Sequence, residues 1–396
     1  MVASTRWARA ARALAQTALF EAGAVPYAVL TTQPLWRTNG GRLAELAQLA
    51  PGEHVLDLGC GPGESAFGMA DRISGLQVTG LDLSHAMVGL ARARSSYDRA
   101  GHAVSLRQGN AERLPFADGT FDAVTGHSFL YLLPDARAVL REAARVVKPG
   151  RRLVFLEPAA APRSALTDVV RARAARDPRF TASMVLWRAV SRRYGRFDER
   201  RLCALFEEAG LEPVEAVPTL GELAIFGVAQ RPVPTKVTDI AWERWKPKDD
   251  ATLLFVVREG QVLLIRKKRG LGAGKVNAPG GRIEPGESPL EAAIRETREE
   301  VGVTPTGVRF AGEVSFQFCD GYALHAHVFT ATDCEGEAIE TDEAKPLWTP
   351  LDRIPFGEMW ADDAHWLPHA LAGRRFAGRF VFDGDAMVDM ALDVTP

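Results

Sequence analysis

Cysteine is scarce in this chain: Cys60, Cys203, Cys319 and Cys334 are the four among 396 residues, and no two form a C-x-x-C pair. That spacing excludes a metal-finger ligand set and a disulfide-built scaffold, and a reducing cytoplasm is the expected setting. Long apolar runs are missing as well. None approaches the about 20 residues that a membrane-spanning helix requires, so no membrane partner is expected. Nor is there an excess of charge of either sign, the formal net charge being −2. Without a basic balance nucleic acid is not an expected partner, and any anionic ligand has to be held by a local site. The N-terminal stretch carries Arg6, Arg9 and Arg12 among alanines, as targeting peptides do, but Glu21 interrupts it and no apolar segment leads to a cleavage site. A capping helix for a first domain is expected there.

Such a length exceeds one ordinary core, and the texture of the chain changes once. Short apolar runs at Val55–Leu58, Val78–Leu81, Val104–Arg107, Ala123–Thr125 and Leu153–Leu156 alternate with helix-like segments such as Ala136–Val147. Strands alternating with helices pair in parallel, which predicts a doubly wound α/β sheet. After a helical, arginine-rich stretch (Leu166–Phe206), the runs Pro213–Val217 and Leu223–Ala229 are spaced as an antiparallel pair at the sheet edge. Proline and charge then dominate Arg231-Pro232-Val233-Pro234 and Lys246-Pro247-Lys248-Asp249-Asp250, the composition of a linker. Beyond it, Leu253–Val257 and Val262–Arg266 flank Glu259-Gly260, a hairpin signal. The expected domains are residues 1–231 and 249–396, joined by 232–248.

The second domain carries a box running from Gly281-Arg282-Ile283-Glu284-Pro285-Gly286-Glu287 to Arg295-Glu296-Thr297-Arg298-Glu299-Glu300-Val301-Gly302. Within it, Ser288-Pro289-Leu290-Glu291 reads as a helix start: serine caps, proline suits the first turn, and glutamate three residues later completes a capping box. Gly302 can end that helix in a left-handed conformation. Glu296, Glu299 and Glu300 then stand at i, i+3 and i+4 on one face. Three carboxylates together repel unless a cation sits among them, and Mg²⁺ takes hard oxygen ligands while keeping places for water and phosphate. Arg295 cannot ligate; pairing with Glu287 or Glu299 would orient those acids. The bland alternative is a solvated charged helix; the flanking glycines and Glu287 weigh against it.

This box resembles that of the Nudix hydrolases at each defining position, Thr297 alone standing where a larger apolar residue is more usual. The resemblance implies an α/β/α sandwich with a mixed sheet, and hydrolysis of a nucleoside diphosphate linked to a further group. It also implies Mg²⁺, with Mn²⁺ as a substitute, held by Glu296, Glu299, Glu300, Glu343 and Gly280. The flanks narrow it: Lys267 to Asn277, Asp342-Glu343, Ile354-Pro355-Phe356 and Met359 to Trp366 resemble the MutT-homologue group that hydrolyses oxidised purine nucleoside triphosphates, the mammalian 8-oxo-dGTPase type. By that resemblance Asn277, Asp362 and Asp363 bind the purine, Trp360 stacks on it, and Phe316, Thr252 and Lys267 complete the substrate site. The physics agrees, since Asn277 offers donor and acceptor and a protonated aspartate can donate to a base oxygen. Trp360 and Trp366 have a plainer alternative as core aromatics, and Asp362-Asp363 as a helix cap. Val276 and Leu271 depart from the mammalian pattern of tryptophan and phenylalanine, which bears on purine preference rather than on the reaction.

In the first domain, Val55-Leu56-Asp57-Leu58-Gly59-Cys60-Gly61-Pro62-Gly63 is a strand running into a glycine-rich turn. Glycines there let backbone approach a ligand at the carboxyl end of the first strand. Asp82 ends the next strand, where an acid suits two ribose hydroxyls, and Gly109-Asn110-Ala111-Glu112 and Phe121-Asp122-Ala123-Val124 follow. A G-x-G loop alone also fits a dinucleotide fold. The succession looks like a class I S-adenosylmethionine-dependent methyltransferase with a Rossmann-like sheet, over roughly residues 25–230. The resemblance implies S-adenosylmethionine as cofactor, with Asp57, Gly59, Gly61 and Gly63 around its methionine part, Asp82 at the ribose, and Ala111 and Glu112 at the adenine. His127 either faces the methyl acceptor or serves the fold. Arginines crowding residues 171–201 are read first as a solvated helix face, and second as an attraction for an anionic substrate. No motif identifies the acceptor or an oligomeric state. The leading expectation is thus an oxidised-nucleotide pyrophosphohydrolase fused to a methyltransferase. The alternative keeps the Nudix chemistry on another nucleotide diphosphate derivative, with a first domain that only binds S-adenosylmethionine.

Overall fold

The computed structural model describes residues 21–173 and 178–395; the N-terminal stretch expected as a capping helix, with Arg6, Arg9 and Arg12, lies outside the described residues. The chain forms two compact units that divide between Pro232 and Val233.

In the first unit the apolar runs become the parallel strands β1 (His54–Leu58), β2 (Gln77–Asp82), β3 (Val104–Gln108), β4 (Phe121–His127) and β5 (Val147–Pro158). The later pair, β6 (Glu212–Thr219) and β7 (Ala224–Gln230), completes a sheet of order β3-β2-β1-β4-β5-β7-β6, in which β7 is antiparallel to both neighbours. Along β5, Leu153 and Phe155 join one core while Val154 and Leu156 join the other. Burial on both faces is why these strands read as continuous apolar runs. Helices α1 (Ala24–Thr31), α2 (Pro34–Leu46), α3 (Glu64–Arg72), α4 (His85–Ser95), α5 (Ala136–Val146), α6 (Arg163–Arg173), α7 (Pro178–Tyr194) and α8 (Glu199–Glu208) surround the sheet. Trp36 of α2, Phe67 of α3 and Met184 of α7 fill one core; Leu140 of α5 and Phe206 of α8 fill the other. The strand order reverses beside β1, so the crevice at the carboxyl ends of β1 and β4 is where such a sheet receives a ligand.

In the second unit β8 (Asp249–Arg258) and β9 (Gln261–Lys267) turn at Glu259 and Gly260, whose φ values are 51° and 73°. Two positive φ values in a two-residue turn match the twist of the strands they join. With β10 (Val276–Asn277), β12 (Arg309–Phe318), β13 (Ala323–Ala331), β15 (Ala344–Pro350), β16 (Arg375–Asp383) and β17 (Ala386–Thr395), they form an eight-stranded sheet of order β10-β9-β8-β13-β12-β16-β17, β15 pairing with β9. The short strands β11 (Thr304–Thr306) and β14 (Asp333–Glu335) pair with each other. The sheet is mixed: β8–β13 and β12–β16 run parallel. Helix α9 (Pro289–Val301) packs Ala293 and Val301 against Leu254, Val256 and Leu263 on one face. Helix α10 (Asp363–Leu371) packs Trp366 and Leu367 against Phe255, Val314 and Phe380 on the other. This is the α/β/α sandwich that the sequence predicts.

The stretch 233–248 lies along the second unit rather than free. Val237 N–H donates to Asp389 at 2.7 Å, Trp245 Nε1–H to Gln317 Oε1 at 2.9 Å, and Arg379 sits 5.4 Å from the centre of the Trp242 ring.

Candidate functional site

The helix that carries the glutamates is fixed at both ends by its own sequence. Ser288 Oγ accepts from Glu291 N–H, Glu291 reaches back to the Ser288 N–H, and Gly302 closes the helix at φ 75°. Thr297, the unusual residue of the box, is buried and donates its hydroxyl to the Ala293 carbonyl at 2.7 Å. Its polar group therefore costs the core little.

Arg295 organises the acids around it. Its Nε and Nη2 form a bidentate pair with Glu287 at 2.8 and 2.9 Å, and its Nη1 donates to Glu296 at 2.7 Å and to Glu299 at 3.1 Å. This bond holds the Glu287 carboxyl below its usual range. Glu296 lies over Gly281, where a Cβ would meet its carboxylate. Glu300 is buried, accepts from Gly280 N–H at 2.9 Å, and has Lys267 Nζ 3.7 Å away. Burial pushes its carboxyl up; Lys267 and the Gly280 amide pull the other way. Glu343, on the loop before β15, has its carboxylate paired with Arg269. Gly280 itself allows no side chain, because a Cβ there would run into the Thr252 carbonyl. The donor set is hard oxygen and so fits Mg²⁺ rather than a thiophilic ion.

Beside these acids opens a cavity of about 340 Å³, lined by Thr252, Asn277, Phe316, Trp360, Asp362 and Asp363, together with Lys267, Gly280 and Gly281. The predicted substrate residues thus meet at one place from five separate stretches of chain. Trp360 is only partly buried and lines the cavity, and Lys275 Nζ lies over its ring, 4.8 Å from the centre, so that a cation covers one face. Trp366 takes the plainer alternative: it is fully buried and stacks on Phe376 at 5.2 Å. Its Nε1–H donates to Asp362 Oδ2 at 2.7 Å, which leaves Asp362 Oδ1 buried without a partner. Asp363 Oδ2 accepts from Trp360 N–H at 3.1 Å. Asp362 sits at the cap position of α10 but makes no side-chain cap bond. Burial raises both carboxyls, and for Asp363 the neighbouring Asp362 adds to the rise. Two adjacent buried acids raised in this way favour keeping a proton between them over ionising together.

In the first unit Gly59, Gly61, Asp82, Ala111 and Glu112 line one cavity of about 190 Å³ at the carboxyl ends of β1 to β3. Gly59 has φ 64°, and a Cβ on it would strike Phe129. Asp82 accepts from Gly61 N–H and Ser84 N–H, each at 2.9 Å, so the acid shapes the glycine turn from beneath. Asp57 and Gly63 are not in the lining of that cavity. Asp57 is fully buried, accepts from the Thr125 hydroxyl at 3.0 Å, and is pushed up to about 7 by burial. Gly63, at φ 90°, turns the chain into α3.

A second, larger cavity of about 600 Å³ shares Gly59, Gly61 and His127 with the first, and its walls are mostly apolar: Trp36, Tyr131, Trp187, Val190. Burial pushes His127 down to about 4, and among the described residues its buried Nε2 has no hydrogen-bond partner. Of the crowded arginines, Arg193 lines this cavity, while Arg196 folds back onto Ser191 and the Arg188 carbonyl. Sequence reasoning missed Glu157. This fully buried acid at the end of β5 accepts from the N–H groups of Phe129, Leu130 and Tyr131 at 3.0, 2.8 and 3.2 Å, and so ties down the wall of both cavities. The signal was an acid closing an apolar run, Leu153-Val154-Phe155-Leu156-Glu157.

Comparison with known proteins gives the same division. The methyltransferase domain family matches residues 56–155, and the NUDIX domain family matches residues 246–370. The oxidized purine nucleoside triphosphate hydrolase of Danio rerio is 45% identical over 144 residues, which are 36% of this chain and 92% of that protein. The demethylmenaquinone methyltransferase of Bacillus licheniformis is 33% identical over 221 residues, 53% of this chain and 85% of that protein. Among solved structures, the MutT protein from Bacillus halodurans is 34% identical, with 37% of this chain and 97% of that chain covered and a TM-score of 0.34. The chain is an enzyme of two families at once, a methyltransferase domain in its first unit and a Nudix hydrolase domain in its second.

Proposed function

We propose that the second unit hydrolyses oxidised purine nucleoside triphosphates, the 8-oxo-dGTP and 2-hydroxy-dATP class, to nucleoside monophosphate and pyrophosphate. The observation that carries this reading is the meeting of Trp360, Asn277 and the Asp362–Asp363 pair in one cavity that borders Lys267 and Gly280. A purine stacked on Trp360 gains about 1–3 kcal/mol, the range for bases on aromatic side chains. One proton shared by the aspartates gives a donor and an acceptor on adjacent atoms, which can answer either of two oxidised edges. The relative from Danio rerio, named for this substrate class, supports the choice.

Glu296, Glu299 and Glu300, with Glu343 and the Gly280 carbonyl, would hold Mg²⁺ or Mn²⁺, which when bound neutralises polyphosphate charge and activates a water. Lys267 supplies a positive charge at the same edge of the cavity. Arg295 is a positioning residue that sets Glu296 and Glu299 in place. Water adds across the phosphoanhydride, and one oxygen–phosphorus bond forms as another breaks. The test is to mix the protein and Mg²⁺ with 8-oxo-dGTP, 2-hydroxy-dATP, dGTP and dATP separately and to quantify monophosphate and pyrophosphate. Preference for an oxidised purine is expected. Equal or absent turnover on all four would remove the substrate assignment and leave another nucleotide diphosphate derivative.

For the first unit we infer binding of S-adenosylmethionine in the smaller cavity, with the larger one receiving an apolar methyl acceptor. Both cavities open on Gly59 and Gly61, and His127 stands between them with a free nitrogen. The cofactor, when bound, supplies an electrophilic methyl group there. Equilibrium dialysis with labelled S-adenosylmethionine checks this: the full chain should bind it, and Asp82→Ala should weaken binding by about tenfold or more, since charge-assisted hydrogen bonds are lost. Absence of binding by the unaltered chain would overturn the reading.

A further inference from the structure

On the sheet face that carries α9, β13 presents His325 and His327 two residues apart and therefore on the same side. Phe329, two residues further, packs in the core that also holds Ala293 and Val301 of α9. The adjacent strand β8 places Asp250 in register with His325. One ligand atom from each of Asp250, His325 and His327 lies within 4.8 Å of the other two. The two imidazoles stand edge to face, 4.7 Å between centres at 88°. From the other side, β12 brings Glu313 opposite His327, with its Oε2 3.6 Å from His325 Nε2.

We propose that Asp250, His325 and His327 form a site for a divalent transition-series cation of the Zn²⁺ class. Imidazole nitrogen combined with carboxylate oxygen selects such ions over Mg²⁺, and three protein ligands leave a fourth position of tetrahedral coordination for water. The surroundings support ligation by a particular tautomer. Ser315 Oγ lies 3.0 Å from His325 Nδ1, and in the tautomer whose Nδ1–H donates to that hydroxyl Nε2 is left for the ion. An ordinary polar sheet face also carries histidines and acids; it does not require their ligand atoms to converge.

None of these residues belongs to the Gly280–Gly302 box, yet the site adjoins it. Ile283 N–H donates to the Asp250 carbonyl at 3.0 Å, and Thr252 N–H to the Gly281 carbonyl at 2.9 Å. A cation clamping β8 to β13 therefore braces the strand against which the glycine loop is bonded.

Co²⁺ added to the full chain in saturating Mg²⁺ tests the site. One equivalent should bind with the visible absorption of a four- or five-coordinate ion, and with two exchangeable imidazole N–H resonances shifted by the paramagnet. His325→Gln and His327→Gln should each remove one resonance and weaken binding by about tenfold or more; Glu299→Gln should leave both resonances. Absence of shifted imidazole resonances in the unaltered chain overturns the proposal, whatever the variants do. So does their persistence in both histidine variants, or their loss in Glu299→Gln.

Discussion

The Glu299→Gln variant is expected to lose hydrolysis of an oxidised purine triphosphate by about 10²–10⁴-fold at saturating Mg²⁺, because a metal-borne charge is worth several kcal/mol in the transition state and each 1.36 kcal/mol is tenfold. Glu299 is the most exposed of the three box acids on α9, and its one protein partner is Arg295 at 3.1 Å. Glutamine keeps the size and the helix propensity of glutamate. Unfolding stability should therefore stay within about 0.5 kcal/mol, which separates a catalytic loss from a folding one. Glu300→Gln should show a similar catalytic loss without a folding loss, since the glutamine oxygen can take the place of Oε2 as acceptor of Gly280 N–H and hold the loop in place. Monophosphate release over a range of Mg²⁺ concentrations is the measurement. Turnover within about threefold of the unaltered chain, a difference of less than 1 kcal/mol, would dismiss Glu299 from the site.

The second large effect concerns the base. Asp363→Ala should lower kcat/KM for oxidised purines by about 10²-fold or more, because a cavity built to hydrogen-bond its ligand suffers when one buried partner is missing. Asp363→Asn, which keeps a donor and an acceptor but has no proton to exchange, should spare one oxidised base at the expense of the other. Equal retention of both would end the shared-proton account. The same change has a signature in stability. Both carboxyls are raised by burial, so the folded chain holds protons that the unfolded chain has released. That contribution is fully present below the ordinary aspartate range and is lost as pH rises through the folded values. Asp363→Asn should therefore flatten the fall in stability as pH rises above the ordinary aspartate range, as read by thermal unfolding of the unliganded chain.

Local chemistry made much of this legible in advance. The capping box at Ser288, the glycine stop at Gly302 and the turn at Glu259-Gly260 need only near neighbours, and residues adjacent in sequence define them. The sheet of the first unit was readable because its strands are buried on both faces and appear as uninterrupted apolar runs. Groups that gain meaning from distant partners were not readable. Glu157 became significant only when the turn at Phe129–Tyr131 folded over it, and Asp250 only when β8 aligned with β13. Arg295 was legible in kind but not in extent, since pairing with Glu287 or Glu299 was expected and it holds Glu296 as well. Trp366 shows the converse: its bond to Asp362, four residues back along one turn of helix, lay within reach of local reasoning.

The stretch ahead of β8 has a bearing on where the hydrolase can be cut. Trp242 and Trp245 lie against each other, Trp245 is bonded to Gln317, and Cys319 Sγ donates to the Pro234 carbonyl at 3.3 Å. A fragment starting at Asp249 would lose the Trp245 bond to Gln317 of β12 and leave Asp389 without the amide from which it accepts, that of Val237. Gln317 is on the same strand as Phe316, whose ring stacks on Phe380 at the base cavity. The arm is thus a splint for the strand that lines the proposed nucleotide cavity, and the natural excision point for a working hydrolase lies upstream of Pro234.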